Sequence, residues 1–386
     1  MSLSSSAGYA DDGENDSAHF PLPRPPQKII FSAKIGDGEK LLIFDTGVGR
    51  MLLDPSLQHL TRREVDGANL FDGNGEKREV RQFELPEIRI QSLTIQKPTA
   101  ILTDVRSLAK YLGRDVMGVI GLSEMADRKV FLDYQNSTLD IHRGDWKLKA
   151  ADVQETKLTQ SISGAVFEAS IEDLKCSFLI DSGDNGCLSL QPATFDQLVD
   201  AGVIKVAEVA GRAVAAFSVT RHKKGWFLKG RLMGKDLRGV SVDAGRERVG
   251  VGWLCGFQAE IDLAARELRY RVIEDAKPPI VLERMLGMII LFEEGLARVE
   301  RLQPGGSGPA EQAGIKEGDR IAAFGDLERG QLTGSNIMEM VAAKAGSSIR
   351  VKLYRPNDVA PLEVKLELPK IISDWDFAGM PKTESK

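Results

Sequence analysis

The sequence contains few of the residues that build disulfide frameworks and metal sites. It has three cysteines and four histidines among 386 residues. An odd number of cysteines cannot staple a fold in pairs, and the isolated histidines show no zinc-ligand spacing. We therefore expect neither a metal nor another cofactor. Two of the cysteines, Cys176, Cys187 and Cys255, could pair, or all three could be buried thiols.

Long apolar runs and a strong charge of one sign are also missing. No apolar run reaches membrane-spanning length. The formal net charge is only -5 and the basic residues are scattered, which gives no reason to expect nucleic acid as a partner. No G-x-S-x-G elbow surrounds a serine and no Cys–His pairing is indicated, so the sequence does not predict a serine or cysteine hydrolase. Protein or peptide partners are expected instead.

The N-terminal segment is polar and rich in proline. Residues 1–27 contain Ser4-Ser5-Ser6 and Pro21-Leu22-Pro23-Arg24-Pro25-Pro26, a composition that predicts a flexible tail. The segment has no signal peptide, but the small residues 7–10 are compatible with the remnant of a cleavage region. We therefore expect an exported bacterial protein, periplasmic or extracytoplasmic, with a cytoplasmic location as the alternative.

A short acidic motif occurs twice in the same setting. Asp45-Thr46-Gly47 and Asp181-Ser182-Gly183 each follow an apolar run typical of a buried strand. Each copy is followed by a segment of apolar residues and glycine, Val119-Ile120-Gly121 or Gly250-Val251-Gly252. The distance is 76 positions from Asp45 to Gly121 and 71 from Asp181 to Gly252. Because surface loops absorb such a difference, we interpret the pattern as an internal duplication.

Two acidic turns from a duplicated unit suggest paired carboxylates. Two carboxylates held close together cannot both ionise easily, so one stays protonated and the other acts as a base. Such a pair can activate water against a peptide carbonyl. Thr46 and Ser182 add a hydroxyl beside each acid, and Gly47 and Gly183 allow a sharp turn. The alternative is two unrelated Asx turns after strands.

The two modules resemble the lobes of retropepsin-like and pepsin-like aspartic proteases, over roughly residues 28–272. In these proteins each lobe offers one D-[ST]-G loop, and a later apolar-Gly segment crosses behind it. The resemblance implies that Asp45 and Asp181 are the catalytic pair. It also implies that Thr46 and Ser182 brace this pair, and that Gly47 and Gly183 form the turns.

Two departures from that family pattern favour an alternative function. Val48-Gly49 follows the first motif, where the family usually has a small residue and then Ser or Thr. Asp184, directly after the second motif, could raise the proton affinity of the pair or face solvent. The alternative is a catalytically inactive, protease-like protein that binds peptides or serves as a scaffold.

A hairpin over the cleft is expected in such proteins. Asp72, Gly73, Asn74 and Gly75 form two dipeptides that favour tight hairpin turns, so they are predicted to form the flap tip. No tyrosine lies there, which favours a lobe of the retropepsin type. In the second module, runs 214–219 and 224–228 flank residues 220–223 and are predicted to form either the matching hairpin or an ordinary surface hairpin.

The C-terminal quarter resembles a bacterial PDZ domain. The resemblance is carried by the segment Gly308–Ile321, with two predicted strands before it, at 286–291 and 297–302, and a predicted helix after it, at about 335–345. It implies that Leu286, Gly287, Met288 and Ile289 receive a peptide C-terminus, which adds as a strand beside the helix. The apolar side chains of Met288, Ile289 and Ile337 favour a hydrophobic terminal side chain in the bound peptide. The alternative is a PDZ fold used only as an internal spacer or docking surface.

The sequence thus predicts a mainly β protein, with two tandem retropepsin-like β lobes forming a bilobal aspartic protease, followed by an α+β PDZ domain. The predicted ranges are a tail at 1–27, lobes at 28–148 and 149–273, a linker at 274–280, the PDZ domain at 281–369 and a second tail at 370–386. We expect an aspartic endopeptidase that acts as a monomer on protein or peptide substrates. The alternative arrangement is a dimer in which each lobe pairs with another subunit.

Overall fold

The computed structural model describes residues 17–23, 27–71, 77–144, 147–161, 164–207, 211–214, 219–274, 276, 282–293, 296–302, 308–356 and 358–370. Over these residues the protein is mainly β, as predicted. The described part of the chain contains no helix that is both long and apolar enough to cross a membrane. The predicted linker and the C-terminal tail lie almost entirely outside the described residues.

The first module comprises the described residues 17–144. Its strands are β1 (Ser17–Pro21), β2 (Ile29–Ile35), β3 (Gly38–Phe44), β4 (Met51–Leu53), β5 (Arg63–Phe71), β6 (Lys77–Glu84), β7 (Ile88–Ile90), β8 (Leu93–Ile95), β9 (Thr99–Leu102), β10 (Val116–Ile120), β11 (Lys129–Asp133) and β12 (Thr138–His142). Helix α1 spans Arg106–Leu112, and two 3-10 helices span Pro55–Leu60 and Leu122–Met125.

Strand β1 corrects the prediction of a flexible tail over residues 1–27. It pairs antiparallel with β12, and Ala18, Phe20 and Leu22 are buried. The ring of Phe20 stacks on that of Phe31 with centroids 4.9 Å apart. The alternation of buried and exposed positions is that of a half-buried strand, but the surrounding prolines and polar residues conceal it in the sequence.

The second module comprises the described residues 147–274. Its strands are β13 (Gln154–Ser161), β14 (Gly164–Ile171), β15 (Leu174–Asp181), β16 (Leu188–Leu190), β17 (Ile204–Val206), β18 (Gly211–Val214), β19 (Val219–His222), β20 (Lys224–Phe227), β21 (Arg231–Leu232), β22 (Lys235–Asp236), β23 (Ser241–Ala244), β24 (Arg248–Gly250), β25 (Phe257–Asp262) and β26 (Glu267–Val272). Helices α2 and α3 span Pro192–Asp200 and Val251–Leu254.

Strand pairing repeats between the two modules. In the first, β3 pairs antiparallel with β2 and parallel with β10, and β10 pairs antiparallel with β4. In the second, β15 pairs antiparallel with β14 and parallel with β24, and β24 pairs antiparallel with β16. The order then continues alike, β4-β9-β6-β5 in the first module and β16-β23-β20-β17 in the second. The repeated motif therefore belongs to a repeated topology.

The two modules also share a sheet. Strand β11 of the first module pairs antiparallel with β25 of the second, from Lys129 opposite Asp262 to Asp133 opposite Gln258. Strands β12 and β1 extend this sheet on one side, and β26 and β13 extend it on the other. All five residues of β11 are buried. The shared sheet fixes the orientation of the two modules, and one hydrophobic core runs through both.

The second module forms a different hairpin from the predicted one. Residues 220–222, predicted as a turn, lie in β19, which pairs with β18. Strand β20 pairs instead with β17 and β23. His222 contributes to this arrangement, since its Nε2 lies 3.2 Å from an oxygen of Asp243 in β23. Residues 215–218 connect β18 to β19 and lie outside the described residues.

The C-terminal module comprises the described residues 282–370. Its elements are α4 (Leu282–Leu286), β27 (Met288–Glu293), β28 (Leu296–Leu302), α5 (Pro309–Gln312), β29 (Arg320–Phe324), β30 (Leu327–Glu328), α6 (Gly334–Lys344), β31 (Ser348–Tyr354) and β32 (Leu362–Glu367). The sheet order is β27-β28-β29-β31-β32, with β30 paired to β29, so β27 is an edge strand. The predicted strand 286–291 begins at Met288, because Leu286 ends α4. Helix α6 agrees with the predicted helix to within one residue.

Candidate active site

Asp45 and Asp181 lie on two loops that are hydrogen-bonded to each other. The hydroxyl of Thr46 donates to the carbonyl oxygen of Ile180 and accepts from the amide of Ser182, both at 2.9 Å. The amide of Thr46 donates to the hydroxyl of Ser182 at 3.0 Å, which donates to the carbonyl of Phe44 at 3.4 Å. Thr46 and Ser182 are completely buried. This reciprocal set of bonds joins the two loops.

Each motif glycine makes room for the carboxylate of the other loop. A Cβ atom placed on Gly47 would lie 2.5 Å from Cγ of Asp181, and one placed on Gly183 would overlap the carboxylate of Asp45. The amide of Gly183 donates to Oδ1 of Asp45 at 3.1 Å and to Oδ1 of Asp181 at 3.0 Å. A single amide therefore contacts both carboxylates. The structure brings the two predicted acids together in one site.

The crossing segments lie directly behind the two acids. The amide of Asp45 donates to the carbonyl of Ile120 at 3.0 Å, and Asp181 lies opposite Gly250 in the parallel pairing of β15 with β24. A Cβ atom on Gly121 would overlap the carbonyl of Val48. These glycines allow each crossing strand to approach the loop that it supports.

The two acids differ in their burial, and burial and a nearby charge shift the pKa of Asp181. Asp181 is buried, whereas Asp45 is half-buried. Burial, followed by the nearby charge of Asp45, raises the pKa of Asp181 well above its usual range. Asp181 therefore binds a proton more strongly than an ordinary aspartate does, and Asp45 is the more exposed of the two acids.

Arg248 is a functional-site residue that the sequence analysis missed. Its Nη1 lies 3.8 Å from Oδ2 of Asp181, and its Nε lies 2.6 Å from Oδ2 of Asp184. Asp184 raises the pKa of the Arg248 guanidinium, so this group is permanently charged. The charge of Arg248 in turn opposes the rise in the pKa of Asp181. Asp184 is thus engaged with a cation and does not simply face solvent.

A second cation contacts the same loop. The Nζ of Lys28 donates to the carbonyl oxygen of Gly183, and the charge of Lys28 also favours the ionised form of Asp181. Lys28 precedes β2, which pairs with β3 and so lies beside the first motif. Neither Lys28 nor Arg248 stands near an acidic motif in the sequence, so only the strand pairing identifies them.

Strands β5 and β6 stand on either side of the residues predicted to form the flap tip. The two strands pair from Arg63 opposite Glu84 to Phe71 opposite Lys77. The tip residues Asp72, Gly73, Asn74 and Gly75 lie outside the described residues. Arg50, three positions after Gly47, donates from Nη1 to Oε1 of Gln82 in β6 at 2.6 Å. This bond connects the first loop to the hairpin.

The candidate peptide-binding residues lie together in the C-terminal module, away from the two acids. Leu286, Met288 and Ile337 are buried in one hydrophobic cluster, and Ile289 is half-buried. Gly287 adopts a φ of +70° and packs against Gly308 and Pro309. Three of the four apolar side chains are therefore covered, and Ile289 is partly exposed.

The remaining sequence expectations concern metals and disulfides. Within the described ranges, no group of three or more His, Cys, Asp and Glu side chains could hold a metal ion. Cys176, Cys187 and Cys255 are all buried, and none forms a disulfide.

Comparison with known proteins found similarities among the solved structures only. Neither the protein-family models nor the curated proteins include a match to this sequence. Among solved structures, the chain is similar to basic 7S globulin from soybean, with 13% sequence identity and a TM-score of 0.41. The similarity covers 66% of this chain and 94% of that one.

Proposed function

We propose that this protein is an aspartic endopeptidase built from two retropepsin-like lobes, followed by a PDZ domain. The observation that carries the proposal is the amide of Gly183, which contacts the carboxylates of both Asp45 and Asp181. The two carboxylates can approach so closely only if the two loops are held together. The reciprocal hydrogen bonds of Thr46 and Ser182 hold them in this way. Two unrelated Asx turns would not be joined in this way.

In the proposed reaction, water lies between the two carboxyl groups and attacks the peptide carbonyl carbon. Asp45 takes a proton from this water, while Asp181 gives its proton to the carbonyl oxygen. The resulting tetrahedral diol then collapses. Asp45 returns its proton to the leaving nitrogen, and Asp181 regains one from a hydroxyl as the C–N bond breaks. Both acids end in their starting states, so no covalent enzyme intermediate is needed.

Protein or unstructured peptide segments are the proposed substrates. The site is formed by two loops of one chain, so a monomer is sufficient for activity, and a solution mass of one chain is expected. We also propose that the protein works outside the bacterial cytoplasm. The C-terminal module is proposed to bind peptide C-termini with a hydrophobic last residue, through Gly287 and the edge of β27.

The competing function is that of a catalytically inactive peptide-binding scaffold. The guanidinium of Arg248, 3.8 Å from Asp181, favours it. A positive charge at this distance stabilises the fully ionised pair, which lacks the proton that the reaction requires. This alternative predicts a folded protein that binds unstructured segments but leaves them intact.

The deciding experiment is cleavage of casein between pH 3 and 8 by the wild type, Asp45→Asn and Asp181→Asn, with and without pepstatin. Asp37→Asn and Asp173→Asn are matched controls, because both aspartates are exposed on the turns that precede β3 and β15. We expect the two site variants to abolish cleavage and the controls to retain it. Binding of casein without cleavage by the folded wild type would favour the scaffold.

A further inference from the structure

The edge of β27 in the C-terminal module contacts the first module. In a PDZ-type complex, a peptide adds to this edge and lies in the groove between β27 and α6. Helix α1 of the first module lies against β27 and the start of α6. Lys110 of α1 forms an ion pair with Glu293 at the end of β27, with 2.7 Å between Nζ and Oε1. The hydroxyl of Tyr111 lies 3.5 Å from Oε2 of Glu300.

The backbone after α1 fits closely into the far end of the groove. Gly113 ends the helix with a φ of +65°. A Cβ atom on Gly113 would lie 2.8 Å from Cγ of Phe292 and 3.0 Å from Cα of Thr333, which caps α6. A Cβ atom on Gly334 would lie 3.3 Å from the carbonyl oxygen of Tyr111. This end of the groove is therefore filled by a segment of the same chain.

The opposite side of α1 packs on a small hydrophobic cluster in the first module. Leu108 and Leu112 contact this cluster. Its members include Val48 in the loop after Gly47, Leu70 of β5, Val80 of β6 and Val119 of β10. Helix α1 therefore connects the groove to the strands beside Asp45 and to the β5–β6 hairpin.

We propose that α1 is an internal occupant of the far end of the PDZ groove, and that a peptide with a free C-terminal carboxylate and an apolar last residue must displace α1 to fill the whole groove. A seven-residue helix is too short to be stable alone. Its helical state therefore depends on contacts to both modules, and release from β27 loosens its packing on the hydrophobic cluster. The peptide part of this proposal rests on the PDZ function proposed above, whereas the docking of α1 is independent of proteolysis.

The test uses two glycines with the same backbone conformation. Gly113→Ala introduces a methyl group that collides with Phe292 and Thr333. Gly202→Ala, after α2, is the matched control, because Gly202 also has a φ of +65° but no atom within 4 Å of the added Cβ. The strain from the left-handed conformation is thus equal, and only the first variant disturbs the groove.

Hydrogen exchange and peptide binding give separate readouts. We expect Gly113→Ala, but not Gly202→Ala, to accelerate amide exchange in both α1 and β27. The peptide probe is a labelled pool of random decapeptides ending in Val, Leu, Ile or Phe. Because the apparent dissociation constant scales inversely with the open fraction, Gly113→Ala should bind this pool about tenfold more tightly than Gly202→Ala does. The amidated pool should not bind.

A charge swap checks the docking without a steric change. Lys110→Glu or Glu293→Lys alone should raise exchange in α1 and β27 by about threefold, and the double variant should restore protection. Equal exchange in all variants would overturn the docking. Faster exchange without peptide binding would overturn the peptide competition and leave α1 as a permanent brace. Casein cleavage by the same variants is scored separately, so an inactive Asp45–Asp181 pair does not affect either conclusion.

Discussion

Thr46 and Ser182 exchange hydrogen bonds across the two modules, each hydroxyl accepting from the backbone amide of the other residue, at 2.9 and 3.0 Å. Both residues are completely buried, so no water is available to replace a lost partner. The two acidic loops are held as one unit by these bonds, and the positions of Asp45 and Asp181 depend on them.

Thr46→Val should therefore destabilise the protein by about 1–3 kcal/mol, because it leaves the buried amide of Ser182 and the carbonyl of Ile180 without their partner. Thr46→Ser keeps the hydroxyl and is the matched control. Chemical denaturation followed by fluorescence measures the change. An equal loss in both variants would contradict the assignment to the hydrogen bonds, because Thr46→Ser keeps the hydroxyl.

Arg248→Met should move the alkaline limit of cleavage to higher pH. The positive charge beside Asp181 favours its ionised form, so removing this charge raises the pKa of Asp181 further. The proton required for the reaction is then retained at higher pH. The pH profile of kcat/KM measures the shift. Arg238→Met removes an exposed arginine paired with Asp236 and should leave the profile unchanged.

Asp181→Asn should flatten the dependence of stability on pH. The pKa of Asp181 is raised in the folded protein above its ordinary value of 3.8, so the folded state binds the proton more strongly. The stabilisation is complete below the unfolded pKa and is lost as the pH rises through the folded one. Urea midpoints of the wild type should therefore fall more steeply than those of Asp181→Asn between pH 4 and 8. Parallel curves would contradict a raised pKa.

Gly47→Ala should abolish cleavage, because the new Cβ would lie 2.5 Å from Cγ of Asp181 and force the carboxylate away. Gly38→Ala, at the start of β3, is the control. The atoms nearest to its Cβ belong to the flexible end of Lys40, at 3.7 Å. Casein cleavage by folded preparations of both variants decides between displacement of the carboxylate and a general loss of backbone freedom.

Phe20→Ala should destabilise the protein by about 3 kcal/mol, since it removes a buried ring that stacks on Phe31. His19→Ala changes the neighbouring exposed side chain of the same strand and should cost less than about 1 kcal/mol. Thermal melting of both variants tests whether β1 is an integral strand. Equal melting midpoints of the two variants would contradict an integral strand and favour the predicted flexible tail.

The sequence identifies the two acids and their braces because both copies of the motif stand at the ends of apolar strands. It does not identify Arg248, which comes 64 positions after Asp184 and reaches it only through the parallel pairing of β24 with β15. The role of Asp184 could not be decided for the same reason. Charge partners are set by strand order, which a local pattern does not contain.

The covered groove is another feature that no local pattern reveals. The sequence predicts Gly287, Met288 and Ile337 as neighbours because a known arrangement of strands and helices contains them. Helix α1 belongs to a different module, and residues 106–112 carry no signal for docking on β27. Strand β1 was not predicted because of its composition, since Pro21 and Pro23 conceal the alternation of Ala18, Phe20 and Leu22. Local sequence patterns therefore predict single strands, helices and turns better than they predict contacts between modules.

The shared sheet has a consequence for expression of the separate halves. If the chain were divided after residue 148, β11 would become an open edge of five residues that are buried in the intact protein. Unpaired apolar edges recruit other strands. An isolated first half should therefore aggregate or associate with a second copy, and coexpression with the second half should rescue its solubility.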